Sequence, residues 1–108
     1  MAKFMLLYHA PVSAEAQMAN ATPEQMEAGM KPWMDWFGKV GSGIVDGGSP
    51  LGHSTSVGGN NAGSDIAGYS IIEAPDMGAA EGLVGDHPHL MLQGGRVEIL
   101  EIMPMPGM

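Results

Sequence analysis

The run Asp86-His87-Pro88-His89 puts two of the chain's four histidines within three residues, beside a carboxylate. Imidazole is the side chain that exchanges protons near neutral pH. Pro88 biases the backbone of His87 toward an extended conformation. That would hold the ring at a helix-to-strand junction, a common place for functional groups. These residue types suit a general acid or base, with His87 moving the proton and Asp86 orienting it. A helix-ending turn whose polar residues face water would have the same composition, and His89 fits that second description better.

Other residues could line a cavity near this run. Tyr8 and His9 end an apolar stretch near the start of the chain. On a strand they point to opposite faces, so only one of them can serve a given pocket. His9 could meet a ligand, or it could be a satisfied histidine of the core or of an interface. Trp33 falls on an apolar helical stripe, as core or as the aromatic wall of a cavity. Arg96, the only arginine, shares a strand face with Glu98 and could clamp an anion or pair with that glutamate. His53 sits in a glycine-rich stretch as lid or solvated loop. Asp35 lies four residues from both Lys31 and Lys39, the spacing of a solvated salt-bridged helix face.

Composition removes several classes of activity. There are no cysteines, hence no thiol nucleophile and no cysteine-based metal site. Eleven methionines raise Cu(I) binding, since thioethers suit that ion. Most, however, fall at helical core spacing, where methionine is a pliable filler, and no metal or cofactor is expected. The glycines around Gly58-Gly59-Asn60-Asn61 lack the strand and helix context of a dinucleotide site. The net charge is −8, with Lys3, Lys31, Lys39 and Arg96 the only cations. Such a surface suits neither nucleic acid nor an anionic membrane. The apolar start is too short to span a bilayer, and the expected compartment is the cytoplasm.

The elements that must position these groups follow from periodicity. One hundred and eight residues make a single domain, 1–108. Lys3 to His9 alternates as a strand that is apolar on both sides. Ser13 to Ala21, polar and alanine-rich, reads as a loop or a loose turn. Thr22-Pro23-Glu24-Gln25 has the spacing of a capping box, and Met26, Met30, Trp33, Phe37 and Val40 follow as an apolar helical stripe. Pro32 predicts a kink or break near Gly29–Pro32. Ile44-Val45-Asp46 is a second strand. Leu51 to Asp65 reads as a long loop, with room for a short strand near His53–Val57. Ile66 to Glu73 is a third strand. A second helix starts after Ala74-Pro75-Asp76, burying Met77, Ala80 and Val84. Arg96 to Met103 is the last strand. This β-α-β-β-α-β order is the ferredoxin-like split βαβ arrangement of an α+β domain, an antiparallel four-stranded sheet with two helices on one face. The helices cover one face only, so the other is expected to pack on a second copy.

Several of these stretches, in order, resemble the YCII-related (YciI-like) family. They are Lys3-Phe-Met-Leu-Leu-Tyr8, Trp33-Met-Asp-Trp36-Phe, Val45-Asp-Gly-Gly48 with Pro50-Leu51, His87-Pro88-His89-Leu90, Gly94-Gly-Arg-Val-Glu98-Ile and the ending Glu101-Ile-Met-Pro-Met-Pro-Gly-Met108. The resemblance implies ferredoxin-like dimers joined through their sheets. It also implies, for one branch, dehalogenation of chlorinated aromatic breakdown products. Members with a His–Asp pair take the histidine from the first helix and an aspartate directly before a proline after the second. Here the first helix offers Trp33 and Met34, and the pre-proline residue is His87, so that pair is not carried over.

The expectation is therefore a homodimer with a cleft lined by His87, His9 or Tyr8, Trp33 and Arg96. It would carry out cofactor-free proton transfer, isomerisation or elimination, on a small polar or anionic molecule. The alternative is a non-catalytic module that binds a small molecule or a protein.

Overall fold

The computed structural model describes residues 1–12, 14–19, 21–59 and 64–106, without the side chains of residues 14, 15 and 18. Asn60-Asn61 of the glycine-rich run, part of the expected 51–65 loop and the last two residues lie outside that description.

Four strands, β1 (Ala2–His9), β2 (Ile44–Asp46), β3 (Ile66–Ala74) and β4 (Arg96–Glu101), form one antiparallel sheet in the order β2-β3-β1-β4. Helices α2 (Pro23–Val40) and α3 (Met77–Val84) cover one face, giving the expected ferredoxin-like α+β architecture. The period-two alternation of β1 sorts its side chains. Phe4, Leu6 and Tyr8 are buried with Ile72 and Ala74 of β3 against Trp36, Ala80 and Val84. Met5 and Leu7 stand on the other face, in register with Ile71 and Tyr69 of β3 and with Leu100 and Glu98 of β4. Among the described residues no helix covers this second, open face.

The local chemistry of α2 follows its sequence. Thr22 Oγ1 accepts from the Gln25 amide at 3.1 Å, and Gln25 Oε1 accepts from the Thr22 amide at 2.9 Å, closing the capping box. The expected break is absent, and the helix runs unbroken through Pro32. The carbonyl that Pro32 leaves without a donor belongs to the exposed Ala28, where water can replace the missing bond.

Four further expectations are corrected. The segment read as loop contains a short helix, α1 (Ala14–Ala19). Met26 and Met30 are not core residues: they are 42% and 54% exposed, because α2 reaches the core only through Trp33, Trp36, Phe37 and Val40. Met77 is likewise exposed at the first position of α3. Residues 53–57 form no strand; after Pro50, which bridges to Gly68, the chain leaves the sheet.

Candidate functional site

Two histidine clusters occupy opposite faces of the sheet. The first lies beneath the helices. Asp76 caps α3, which ends at Gly85, and the extended residue His87 turns its ring inward, 1% exposed. A 3₁₀ turn, Pro88–Met91, follows. The rings of Trp36, Trp33 and Tyr8 surround the imidazole at centroid distances of 4.3, 4.6 and 4.8 Å.

Its hydrogen bonds fix the tautomer. The amide of His89 donates to Nδ1 of His87 at 3.0 Å, so the ring proton sits on Nε2. Nε2–H donates to the Tyr8 hydroxyl at 3.0 Å, Tyr8 donates to Ser70 Oγ at 2.6 Å, and Ser70 donates to the carbonyl of Gly47 at 2.8 Å. This directed chain crosses the core from the end of α3 to the end of β2 and leaves no link unsatisfied. Burial, aided by repulsion from His89, pushes the His87 pKa down to about 4. Burial pushes the Tyr8 hydroxyl up to about 12, against the smaller effect of its bond to Ser70. Both groups are held neutral at physiological pH.

Asp86 does not orient His87. Its carboxylate pairs with Lys39 of α2, and both nitrogens of His87 are committed elsewhere. The pair spans a shallow groove walled by Pro32, Trp36 and Pro88. Lys39 holds the exposed Asp86 carboxyl below the usual range. Such solvated pairs contribute little to stability, so Asp86→Asn is expected to leave the urea midpoint within experimental error. His89 is also buried and satisfied, donating from Nε2 to the carbonyl of His9 at 2.8 Å.

The second cluster is on the open face. His9 ends β1 where a bulge interrupts its register with β3. Its Nδ1 donates to Asp65 Oδ1 at 2.6 Å and its Nε2 to Glu98 Oε1 at 2.7 Å. A ring donating from both nitrogens is an imidazolium. The carboxylates raise its pKa, Asp65 foremost, against partial desolvation and the charge of Arg96. In turn His9 draws the Asp65 carboxyl below its ordinary value. The ring is almost covered while both carboxylates remain substantially exposed. Among the described residues, no three groups are placed to hold a metal ion.

Of the residues expected to meet in one cleft, Tyr8, Trp33 and His87 come together inside the core. His9 lies across the sheet from them. Arg96 is paired in register with His9 and acts on it through its charge rather than by a bond. Glu98 goes to His9, not to Arg96. Sequence alone does not single out Asp65 or Ser70. A serine set between Tyr69 and Ile71 of β3 is a legible sign of a buried polar partner, whereas nothing local marks Asp65.

No protein-family profile matches the chain, and no curated protein matches it. Among solved structures it is similar to 5-chloro-2-hydroxyhydroquinone dehydrochlorinase (TftG) from Burkholderia phenoliruptrix AC1100, in complex with 2,5-dihydroxybenzoquinone. The identity is 13%, the match covers 95% of this chain and 94% of that one, and the TM-score is 0.55. At that identity the likeness establishes the shared fold. No helix among the described residues is long and apolar enough to cross a membrane.

Proposed function

We propose that this chain is a cofactor-free enzyme that transfers protons to and from a small polar molecule, in an elimination or isomerisation, and that it acts as a homodimer joined through the open faces of its sheets. The observation that carries the reading is the imidazole of His9, held between Asp65 and Glu98 on that face. Its raised pKa supplies a proton donor near neutral pH. His87 is buried with both nitrogens engaged, so His9 takes the proton-moving role instead.

A dehydrochlorination would use such a group. When a chlorinated hydroxyhydroquinone becomes a hydroxyquinone, two hydroxyl protons leave and one proton arrives at the carbon that loses chlorine. Chloride departs with the electron pair of the carbon–chlorine bond. The net loss is hydrogen chloride, and no oxidant is needed. A single acid–base residue beside the ring can both give and accept protons along this course.

The test is chloride release from 5-chloro-2-hydroxyhydroquinone and a panel of related halogenated phenols, kept reduced under anaerobic conditions. Turnover by the unaltered protein, slowed about 100-fold or more in His9→Asn, is the expected result. Absence of turnover across the panel, or equal rates in the variant, would overturn it. A ligand that raises Tm without reacting would identify a binding module instead. Sedimentation at micromolar concentration should give twice the monomer mass.

A further inference from the structure

We propose that His9, Asp65 and Glu98 form a proton-operated clasp: the doubly protonated ring ties the entrance of β3 and the start of β4 to the end of β1, and loss of one proton releases Glu98 and bares Nε2 on the open face. The inference rests on the proposed function only in giving the bared nitrogen a use, as a base.

The geometry carries it. A neutral imidazole has one N–H and cannot donate to two carboxylates. Its remaining lone pair would face a carboxylate oxygen at 2.7 Å, a contact that both charge and lone-pair repulsion push apart. Asp65 is the partner that stays. Its backbone is anchored by the Ala10 amide, which donates to the Asp65 carbonyl at 2.8 Å, and its bond is the largest influence on the ring. Glu98 has somewhere to go. Arg96 lies two residues away on the same face of β4, and among the described residues its guanidinium makes no hydrogen bond or ion pair that would have to break first. The groups around the ring are therefore Asp65 ahead of β3, Glu98 and Arg96 on β4, and His89 of the 3₁₀ turn. His89 meets His9 at the main-chain carbonyl, to which its Nε2 donates.

The pH window follows from the directions of the shifts. His9 has a folded pKa above its ordinary 6.5, so its contribution is complete below 6.5 and lost as pH rises through the raised value. Asp65 has a folded pKa below its ordinary 3.8, so its contribution is present above 3.8 and lost as pH falls through the lowered value. The clasp is closed between those two limits, and raising pH opens it.

Long-range ¹⁵N–¹H spectra of the histidine rings, recorded against pH on the full chain, test this directly. The expected result is a His9 midpoint above 6.5, a lower midpoint in E98Q and in D65N, and an Nδ1–H tautomer on the alkaline side. A midpoint at or below 6.5, no change in E98Q, or an Nε2–H tautomer would overturn the clasp. His87 should remain an Nε2–H tautomer in both variants, reporting that the core is intact. The measurement needs no substrate: a clasp that titrates as expected beside an absence of chloride release would leave this inference standing and remove only the catalytic one.

Discussion

Alanine at position 48 is expected to cost about 3 kcal/mol or more, lowering Tm by roughly 15 °C for a domain of this size. Gly48 has φ +80, and a Cβ there would sit 1.6 Å from the carbonyl oxygen of Tyr69 and 2.6 Å from its carbon. Neither atom is the tip of a flexible side chain; both belong to β3. The turn after β2 must lift off the sheet to make room. That movement breaks the bond from Ser70 to Gly47 and unravels the far end of the polar chain that passes through Tyr8 and His87. Gly47→Ala is the control. Its Cβ would meet Phe37 at an ordinary 3.5 Å, so a change of less than about 1 kcal/mol is expected. Urea titration of the two variants side by side checks the contrast.

Replacing His87 by alanine is expected to cost about 3–5 kcal/mol, combining a cavity among three aromatic rings with loss of a partner for the Tyr8 hydroxyl and the His89 amide. The same histidine sets the acid sensitivity of the fold. Its folded pKa of about 4 lies below the ordinary 6.5, so the unfolded chain binds its proton first. Stability is then complete above 6.5 and declines by about 3 kcal/mol as pH falls toward 4. His87→Leu, which cannot titrate, should flatten that slope whatever its cost at pH 7. A slope unchanged in the leucine variant would show that another group governs acid unfolding. His9 does not confuse the reading, because its influence lies on the alkaline side of 6.5.

How far sequence reaches here can be traced residue by residue. Alternation in β1 and the capping box at Thr22 are local patterns, and both correctly place their elements. The exposure of Met26 and Met30 is not legible, because helical periodicity shows which residues share a face but not whether anything lies opposite. Helix α1 escapes pattern reading because alanine-rich polar sequence carries no apolar stripe. The site was harder still. The neighbours Asp86 and His87 are adjacent in sequence yet point apart, one to Lys39 at the surface and the other into the core. The partners that count are distant: His9 finds Asp65 and Glu98 at separations of 56 and 89 residues, and His87 finds Tyr8 at 79. Only the strand order β2-β3-β1-β4, with β1 in the middle, brings them together.

From Pro11 to Pro32 no described side chain is buried, although the stretch includes all of α1 and the first half of α2. Substitutions there need not disturb the sheet or either histidine cluster. Natural variants should therefore accumulate in this overhang faster than in the plate beneath it, and an affinity tag or fluorescent label inserted there would ride on the protein without entering its architecture.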